Sequence, residues 1–486
     1  MITIENVSFH YGEVPEQCLH NVSLHIDRGE CVLLCGESGC GKTTLTRLIN
    51  GLIPYFYEGD FSGKVIVAGH NLSTTKPEEM SSIVGSVFQN PRSQFFNLDT
   101  TGEIAFGCEN LGLPTADIRE RVQSAARALD IENLLDRDIF ALSGGEKQKI
   151  AVASAYALNP EIFMFDEPSS NLDFAACAEL AVLMKRLKKQ GKTLVIAEHR
   201  LHYLAELFDR VVYLKDGRIL YAWSRREFLA FSDAEREKLG LRAICLDNLI
   251  PQNTAQAYSP ELSVSGLTAR YPRKAEVLQD ICFAAAPGEI IGIMGKNGQG
   301  KSTLARVLCG LHRENRGTIA LGGKQMKSKA RAGPCYLVMQ ESGYQLFADS
   351  VENELRLSKS KKERPPDEKI DAILGSLHLT ALRERHPMSL SGGEKQRTAI
   401  GTAMAHDAQV IIFDEPTSGL DFANMCRVVE VLKQLATSGK IIFVITHDFE
   451  LLTRACTRSI VLEDEKIKSD VSLDTKNLSV IKEFFS

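Results

Sequence analysis

Two stretches of the chain carry residue types that bind phosphate groups. GESGCGKTT at 36–44 and GKNGQGKST at 295–303 both satisfy the pattern GxxxxGK followed by Ser or Thr. Each stretch follows a short apolar run and precedes a helix-like segment, which is the context that this pattern needs. Glycines let backbone N–H groups curl around a phosphate, and a helix N-terminus adds partial positive charge. The sequence therefore predicts two phosphate-binding loops.

Different side chains of these loops are predicted to bind different parts of a nucleotide and its metal ion. Lys42 and Lys301 would reach the outer phosphates, while Thr43 and Ser302 would offer a hydroxyl group to Mg²⁺. A glycine-rich turn can arise once by chance, but two such loops in register make chance a negligible explanation. The predicted nucleotide-binding residues of the loops are Gly36, Glu37, Ser38, Gly39, Cys40, Gly41, Lys42, Thr43, Thr44, Gly295, Lys296, Asn297, Gly298, Gln299, Gly300, Lys301, Ser302 and Thr303.

A pair of carboxylates follows an apolar run in each half of the chain. Asp166 and Glu167 follow IFMF, and Asp414 and Glu415 follow VIIF. Aspartate is a hard oxygen ligand suited to Mg²⁺. Glutamate can orient a water molecule and accept its proton. Solvated acids at a strand end are the alternative interpretation, but their repetition after each phosphate loop argues against it. The sequence predicts the aspartates as metal ligands and the glutamates as catalytic bases.

The elements that must position these residues also occur twice. LSGGEKQ at 142–148 recurs at 390–396, and FDEP at 165–168 recurs at 413–416, in both cases 248 residues later. Such self-similarity indicates an internal duplication. Short apolar runs without polar alternation predict strands buried on both faces of a mainly parallel sheet. Amphipathic stretches such as 180–192 predict crossover helices. The predicted fold class is α/β, present twice.

The duplication also predicts the domain boundaries. The first domain is predicted at 1–221, because RVVYLKDGRILY at its end reads as strand-like. The second is predicted at 261–486, because LSVSGLTARYP near its start resembles ITIENVSFHYG near the N-terminus. Between them, 222–260 holds five basic and five acidic residues with prolines near its end. This stretch is predicted to be a mixed helical and coil connector.

Length and composition exclude several classes of protein. A chain of 486 residues is too long for one hydrophobic core. Its net charge of −5 gives no reason to expect a nucleic-acid partner. No apolar run approaches the ~18 residues that a membrane span needs. The start lacks the pattern of a signal segment, and the twelve cysteines do not follow metal-ligand spacing. We expect a cytosolic protein.

Taken together, these motifs resemble those of the ATP-binding cassette (ABC) ATPase family. The resemblance implies two tandem ABC-type nucleotide-binding domains of the P-loop NTPase fold, each with a small helical subdomain, that use ATP and Mg²⁺. It also implies further roles by motif. Matched residues are Gln89 and Gln340 in the Q-loops (ATP and Mg²⁺), His199 and His447 as catalytic switch histidines, and Tyr11 and Tyr271 as adenine-stacking aromatics, with SSNLD at 169–173 and TSGLD at 417–421 as D-loops.

In this family two cassettes pack head to tail, and each ATP lies between the phosphate loop of one and the LSGGE segment of the other. The resemblance therefore implies that both LSGGE segments bind ATP. Their predicted residues are Ser143, Gly144, Gly145, Ser391, Gly392 and Gly393. By this analogy, site one pairs Lys42 and Glu167 with Ser391, and site two pairs Lys301 and Glu415 with Ser143. Each half retains its complete motif set, so two hydrolytic sites are predicted.

Finer features resemble the ATPase subunits of energy-coupling factor (ECF) importers. These features are VFQNPRSQFF at 87–96, EIAFGCENLGLP at 103–114, IAEHRL at 196–201 and QLFADSVENEL at 345–355. The resemblance implies the two ATPases of such an importer fused in one chain, peripheral to the cytoplasmic face of the cell membrane. Its partners would be a transmembrane coupling subunit and a substrate-binding membrane subunit. The coupling subunit would dock on 90–96 and 341–347.

Two other classes are open from the sequence. One is the two-cassette ATPase of sugar- or peptide-type importers, which shares the chemistry but serves other substrates. The other is an ABC-F-like ATPase that acts on ribosomes, which is less favoured because the connector is short and electrically balanced. The transported substrate, a vitamin or a transition-metal ion, cannot be read from this chain.

Overall fold

The structure is a computed structural model. It describes residues 1–486 except 13–17, 253–258, 273–274, 358–363, 483 and 485–486, and also omits the side chain of Arg92. By their internal contacts the residues form two units. The first unit comprises Met1–Leu246 with Asp421–Ala423, and the second comprises Asp247–Leu420 with Asn424–Ser486.

The first unit contains two sheets and the helices that flank them. Its strands are β1 (Ile2–Tyr11), β2 (Leu19–Ile26), β3 (Cys31–Cys35), β4 (Gly59–Val67), β5 (His70–Asn71), β6 (Val84–Val87), β7 (Ile162–Asp166), β8 (Thr193–Ala197), β9 (Arg210–Lys215) and β10 (Arg218–Ser224). Its helices are α1 (Lys42–Ile49), α2 (Leu52–Tyr55), α3 (Pro77–Ile83), α4 (Thr100–Asn110), α5 (Thr115–Leu129), α6 (Gly144–Ala157), α7 (Phe174–Lys189), α8 (Arg225–Leu229) and α9 (Asp233–Lys238).

The larger sheet of this unit has the order β10-β9-β3-β8-β7-β6. It is parallel except for β10, which pairs antiparallel with β9. The smaller sheet, β2-β1-β4-β5, is antiparallel. In a parallel sheet the carboxyl ends of the strands lie at one edge. The phosphate loop after β3, the carboxylates at the end of β7 and the histidine turn after β8 therefore meet there.

Burial on both faces explains why β3 is entirely apolar. Successive side chains of a strand point to opposite faces. Cys31, Leu33 and Cys35 join the hydrophobic core on the side of α4–α7, whereas Val32 and Leu34 join the core under the smaller sheet. The strand before the phosphate loop is thus fixed from both sides, which makes it a rigid base for the loop.

The second unit repeats this architecture. Its strands are β11 (Leu262–Arg270), β12 (Glu276–Ala285), β13 (Ile290–Met294), β14 (Arg316–Leu321), β15 (Lys324–Gln325), β16 (Cys335–Val338), β17 (Val410–Asp414), β18 (Ile441–Ile445), β19 (Arg458–Glu463) and β20 (Lys466–Ser472). Its helices are α10 (Lys301–Leu308), α11 (Ser328–Arg331), α12 (Val351–Leu355), α13 (Asp367–Ser376), α14 (Gly392–Ala405), α15 (Phe422–Thr437), α16 (Phe449–Ala455) and α17 (Leu478–Lys482). The sheet orders are β12-β11-β14-β15 and β16-β17-β18-β13-β19-β20.

The predicted buried strands are confirmed in both units. CVLLC, IFMF and TLVIA form β3, most of β7 and β8, and IIGIM, VIIF and IIFVI form β13, most of β17 and β18. The predicted crossover helix at 180–192 corresponds to the C-terminal part of α7. The α/β fold class, present twice, is therefore confirmed. The smaller antiparallel sheet of each unit was not part of the prediction.

Part of the predicted connector packs on the first unit. β10 runs to Ser224, and Phe228 of α8 is fully buried in the core on the side of the helices. Gly240 has φ +70°, and a Cβ atom there would come within 3.0 Å of Glu37 Oε1 in the phosphate loop. The division between units falls after Leu246, inside the predicted connector. Residues 222–246 therefore group with the first unit.

None of the helices in the described part of the chain is long and apolar enough to cross a membrane.

Candidate functional site

The first phosphate loop joins β3 to α1 and curls around its own lysine. Lys42 Nζ donates to the carbonyl oxygens of Gly36 at 2.9 Å and Glu37 at 3.0 Å, and only 4% of the residue is exposed. Gly41 precedes α1 with φ +102°, a left-handed conformation that glycine adopts without strain. A Cβ atom on Gly36 would lie 2.2 Å from Leu214 O. The glycines therefore permit this loop, and the loop places the ammonium group at the start of α1.

The second phosphate loop, between β13 and α10, has the same form. Lys301 Nζ donates to the carbonyl oxygens of Gly295 at 2.6 Å and Lys296 at 3.0 Å. Gly300 has φ +87°, and a Cβ atom on Gly295 would lie 2.6 Å from Leu462 O. Both units thus form the loop that the sequence predicts between a strand and a helix N-terminus, a place suited to an anion. Nucleotide binding by its individual residues stays a prediction.

The aspartate at the end of β7 faces the hydroxyl group of the loop. Thr43 Oγ1 donates to Asp166 Oδ1 at 3.4 Å. Burial raises the pKa of Asp166 to about 6, and the neighbouring charge of Glu167 adds to this effect. The charges of Arg47 and Lys42 offset this burial only in part, so a cation would be favoured here, and the hydroxyl beside the carboxylate is a second hard oxygen ligand. Asp166 and Thr43 therefore fit Mg²⁺.

The second unit provides the same pair. The Ser302 hydroxyl donates to the Asp414 carboxylate, and burial raises the pKa of Asp414 although this hydrogen bond and Lys301 lower it. The residues that would hold Mg²⁺ are thus brought together twice. The predicted role of Gln89 and Gln340 as metal ligands is not tested and stays a prediction.

The glutamate that follows each aspartate contacts its switch histidine. His199 Nε2 lies 3.4 Å from Glu167 Oε1, and Gln89 Nε2 donates to Glu167 Oε2 at 2.8 Å. Burial acts to raise the pKa of Glu167, but the charge and hydrogen bond of His199, together with Lys42, lower it. Glu167 is therefore ionised at neutral pH and can accept a hydrogen bond from a water molecule.

The corresponding pair in the second unit has the same spacing. His447 Nε2 lies 3.4 Å from Glu415 Oε1, and both residues are at least nine-tenths buried. Gln340 is exposed at the end of β16. Both units therefore bring the predicted catalytic glutamate and histidine together. Their catalytic roles stay predictions.

The predicted adenine-stacking tyrosines lie beside the phosphate loops. The Tyr11 hydroxyl lies 3.3 Å from Thr44 Oγ1 and accepts from Arg47 at 2.9 Å. The Tyr271 hydroxyl lies 3.4 Å from Thr303 Oγ1 and accepts from Arg306 at 3.4 Å. The arginines of α1 and α10 are contacts that the sequence analysis missed. Adenine stacking itself stays a prediction.

Each LSGGE segment begins a helix through a capping box. The Ser143 hydroxyl accepts from the N–H of Glu146 at 3.3 Å, and the Glu146 carboxylate accepts from the N–H of Ser143 at 2.8 Å. Ser391 and Glu394 repeat both bonds at the start of α14. Each serine hydroxyl uses an oxygen lone pair for the cap, so its own proton can be donated to another group. The helix N-terminus and this proton are suited to an anion in each unit, and ATP binding by the LSGGE segments stays a prediction.

The ABC transporter family model matches residues 19–170 and 278–418. The chain belongs to the ABC transporter family. Each matched stretch of this ABC ATPase contains one phosphate loop and one carboxylate pair. The chain is accordingly an ATPase that binds ATP with Mg²⁺, as the motifs predict.

Relatives of this ABC ATPase match along nearly its whole length. A "Putative ABC transporter ATP-binding protein" of Treponema denticola is 47% identical over 486 residues, which is 98% of each chain. A "Putative HMP/thiamine import ATP-binding protein YkoD" of Bacillus subtilis is 31% identical over 502 residues, covering 97% of this chain and 90% of that protein.

A solved structure confirms the fold of this ABC ATPase. The archaeal structure described as "Model of ribosome-bound archaeal Pelota and ABCE1" aligns with a TM-score of 0.71 at 22% sequence identity, covering 98% of this chain and 80% of that one. At this level of identity the likeness concerns the fold alone.

The sequence analysis of this ABC ATPase also missed a buried glutamate in each unit. Glu103, 2% exposed, accepts from the backbone N–H of Phe96 at 2.9 Å. Glu354, 1% exposed, accepts from the backbone N–H of Phe347 at 2.7 Å. Each glutamate follows its phenylalanine by seven residues. That repeated spacing is the signal that could have identified them.

Proposed function

We propose that this ABC ATPase is the energising subunit of a membrane importer of the ECF type, which imports a vitamin or a transition-metal ion. It would act at the cytoplasmic face of the cell membrane as a peripheral subunit. Its partners would be a transmembrane coupling subunit and a substrate-binding membrane subunit, and no nucleic acid. The printed name of the B. subtilis relative, an HMP/thiamine import protein, supports an importer of this substrate class.

The observation that carries this proposal is an exposed aromatic residue after each Q-loop. Phe96 is 74% exposed and Phe347 is 80% exposed. Single apolar residues on a surface are common. Here, however, the same position is exposed in both units, and each backbone is fixed by a buried glutamate that accepts its N–H group. Burial of a carboxylate costs free energy, and here the buried carboxylate fixes the backbone of a residue whose apolar side chain is exposed. Such an arrangement is typical of a surface that binds a protein partner.

A groove in the first unit is lined in part by Gln94, which precedes Phe96 by two residues. Its volume is about 410 Å³, and Asn50, Leu52, Phe56, Phe88 and Gln94 are among its lining residues. Gln94 is fixed to the end of β6, because its amide accepts from Phe88 N at 3.3 Å and donates to Ser86 O at 2.9 Å. Concave, mainly apolar walls with a few polar groups suit an amphipathic helix.

The chemistry of the two sites follows from the side chains that they bring together. The phosphate loops would bind the phosphates through backbone N–H groups and Lys42 or Lys301. When bound, Mg²⁺ supplies charge neutralisation for the phosphate oxygens. Glu167 would orient the attacking water and accept its proton, and His199 would hold that carboxylate in place. These roles are proposals from the family resemblance and the geometry described above.

We also propose that the two cassettes work as a pair, as the family resemblance implies. Ser143 and Ser391 would each cap a nucleotide held by the phosphate loop of the other cassette. ATP would then favour the paired state, and hydrolysis would remove that preference. A differential affinity of this kind is what converts ATP turnover into movement.

The two rival classes predict different partners. A sugar- or peptide-type importer ATPase would co-purify with a permease of another import class. The ribosome-associated class has the same fold at 22% identity, but fold does not establish function. A net charge of −5 gives little attraction for RNA.

Co-purification from native membranes tests the proposal. Tagged chain, extracted in mild detergent, should bring down a transmembrane coupling subunit and a small substrate-binding membrane subunit, identified by mass spectrometry. Phe96→Asp with Phe347→Asp should reduce recovery of the coupling subunit at least tenfold, because a charge cannot be buried in an apolar contact without a partner. Val182→Asp is the matched control, since Val182 is 51% exposed on α7 and should leave recovery unchanged.

Other outcomes of this experiment would contradict the proposal. Recovery of ribosomes instead of membrane proteins would favour the ribosome-associated class. Recovery of a sugar or peptide permease would favour the other importer class. Full recovery of the coupling subunit by the double phenylalanine variant would show that the exposed aromatics are not the docking surface.

A further inference from the structure

A buried carboxylate fixes the turn that carries the switch histidine of the first unit. Glu198 directly precedes His199 and is 3% exposed. Its Oε1 accepts the backbone N–H of His199 at 2.7 Å and that of Arg200 at 3.1 Å. One side-chain oxygen therefore holds the backbone on both sides of the histidine Cα.

The other oxygen of this carboxylate reaches a different segment. Glu198 Oε2 accepts the hydroxyl of Tyr203 at 2.7 Å and the backbone N–H of Ser169 at 3.3 Å. Ser169 lies two residues after Glu167. Burial and the charge of Glu198 raise the pKa of Tyr203 well above its ordinary value, so the hydroxyl keeps the proton that it donates. Glu198 thus connects the histidine turn to the segment behind the proposed catalytic base.

The second unit makes the same connection with different residues. The position before its switch histidine holds Thr446, and the buried carboxylate belongs instead to Asp448, one residue after His447. Asp448 Oδ2 accepts the hydroxyl of Thr417 at 2.8 Å, and Thr446 Oγ1 accepts the N–H of Asp448 at 3.0 Å. Thr417 corresponds to Ser169 of the first unit, because the two positions are 248 residues apart, as are the repeated motifs. Both units therefore tether the histidine turn to the residue after the Glu-Pro pair.

Helix capping does not explain both carboxylates. Asp448 caps α16 by accepting from the N–H groups of Glu450 at 3.1 Å and Leu451 at 3.2 Å. Glu198 precedes the short 3-10 helix His202–Leu204, which has no side-chain cap. The two carboxylates share the tether between the histidine turn and the residue after the Glu-Pro pair. The histidine has the same position relative to its glutamate in both units, since Nε2 lies 3.4 Å from the Oε1 atom of Glu167 in the first unit and of Glu415 in the second.

We propose that Glu198, together with Tyr203, is a positioning residue for ATP hydrolysis in the first unit. It fixes His199 relative to Glu167 without touching the nucleotide. Asp448 has the same function in the second unit. This inference rests on the catalytic roles proposed above for Glu167 and its histidine, and not on the identity of the transported substrate.

Replacement of Glu198 by the residue of the second unit tests the inference. In the full chain, Glu198→Thr should lower kcat about tenfold or more, because a misplaced catalytic pair loses rate steeply and the two cassettes are proposed to turn over together. Its KM for ATP should stay within about twofold of the native value, because the phosphate loop and its lysine are intact. Glu206→Gln is the matched control. Its partner Lys185 is 39% exposed and Glu206 itself is 74% exposed, so native kcat is expected.

A transplant distinguishes positioning from a general loss of stability. Ser169→Thr, Glu198→Thr, Arg200→Asp and Tyr203→Leu together recreate the residues of the second unit. This quadruple variant should regain a kcat within about threefold of native, because the four changes act on one tether and are not additive. A folded quadruple variant that is no more active than Glu198→Thr would overturn the inference.

A milder variant decides the question if the transplant does not fold. Tyr203→Phe removes only the hydroxyl that Glu198 accepts, and should lower kcat about threefold with KM unchanged. Native kcat in both Tyr203→Phe and Glu198→Thr would overturn the inference. Glu167→Gln, measured in parallel, separates the two levels of argument. If Glu167→Gln keeps native turnover, the proposed catalytic role fails. If it is inactive while Glu198→Thr is native, only the positioning role fails.

Discussion

Glu167 and Glu415 share a backbone conformation that residues with a side chain rarely adopt. Their φ angles are +46° and +51°, in the left-handed region. Each is held there by a backbone hydrogen bond, from Glu167 N to Ala197 O at 2.8 Å and from Glu415 N to Ile445 O at 2.9 Å. Strain of about 1–3 kcal/mol persists where the surroundings over-determine it, and it is frequent at functional sites. The strain directs both carboxylates toward their histidines, which supports the proposed catalytic role.

Conversion of each glutamate to glutamine tests this role. Glu167→Gln and Glu415→Gln preserve the shape of the side chain but remove its capacity to accept a proton. Because the two cassettes are proposed to work as a pair, a blocked site also stops the other, and each variant should lower steady-state ATPase at least about 100-fold, the contribution typical of a general base. The thermal midpoint should change little, since the backbone conformation is retained. Unchanged turnover in one of the two variants would contradict the prediction of two hydrolytic sites.

At the scale of elements, a charged cluster joins α12 to Arg383, which directly follows the 3-10 helix Thr380–Leu382. Glu352 accepts from Arg356 at 2.6 Å, and also pairs with Arg383. The hydrogen bonds from Arg383 and Arg356 lower the pKa of Glu352 to about 2. In the first unit Thr101 takes the corresponding place and donates to Asp136 Oδ1 at 2.8 Å. The same junction is thus an ion pair in one unit and a hydrogen bond from a hydroxyl group in the other.

The lowered pKa of Glu352 predicts a pH-dependent stability difference. Because the folded-state pKa lies below the ordinary value, the stabilisation is complete above about pH 4.5 and is lost as pH falls toward 2. Glu352→Gln should reduce the unfolding free energy by about 1 kcal/mol at pH 7 after solvent screening, or about 2–4 °C in Tm. Scanning calorimetry at pH 7 and at pH 3 measures this difference. It should shrink at the lower pH.

An exposed carboxylate elsewhere in the second unit provides the control for this experiment. Glu430 is exposed on α15, and Glu430→Gln should leave Tm unchanged at both pH values. An equal loss of stability for Glu352→Gln at pH 7 and pH 3 would show that its contribution is packing and not charge.

Local patterns explain which elements could be predicted. Fewer than ten consecutive residues define each phosphate loop, each carboxylate pair and each central strand. The burial of the central strands follows from their apolar composition. The Glu198 tether could not be predicted in this way. It depends on Ser169, 29 residues earlier, being brought by β7 and β8 to the same edge of the sheet. In the second unit the tether uses Asp448, which follows its histidine, whereas Glu198 precedes its own. Alignment of the two halves therefore does not place the two carboxylates at the same position.

At the scale of the whole molecule, the duplication keeps the reacting groups constant and changes the groups around them. Lysine, hydroxyl, aspartate, glutamate, histidine and LSGGE occur in both halves. The tether of the histidine turn and the contact of α12 with the turn packed against it differ. The chemistry is therefore expected to be equivalent in the two halves, whereas their stability and their response to substitutions in the surrounding residues are expected to differ.

Paired substitutions in the full chain test how the halves cooperate. If Lys42 works with Ser391, and Lys301 with Ser143, then Lys42→Ala with Ser391→Ala damages one nucleotide site. Lys42→Ala with Ser143→Ala damages both. Equilibrium binding of a non-hydrolysable ATP analogue should therefore give about one nucleotide per chain for the first variant and close to none for the second. Equal stoichiometry in the two variants would contradict the pairing.

The close approach of Gly240 to Glu37 has a practical consequence for dissecting the protein. An N-terminal fragment that stops at the end of the β9–β10 hairpin would remove α8 and α9 and leave the apolar surface under Phe228 bare. It would also remove Gly240, which packs close to Glu37 in the first phosphate loop. A fragment intended to bind ATP as the native first half does must extend at least to Leu246, and weak binding by a shorter fragment would reflect the missing segment and not the cassette.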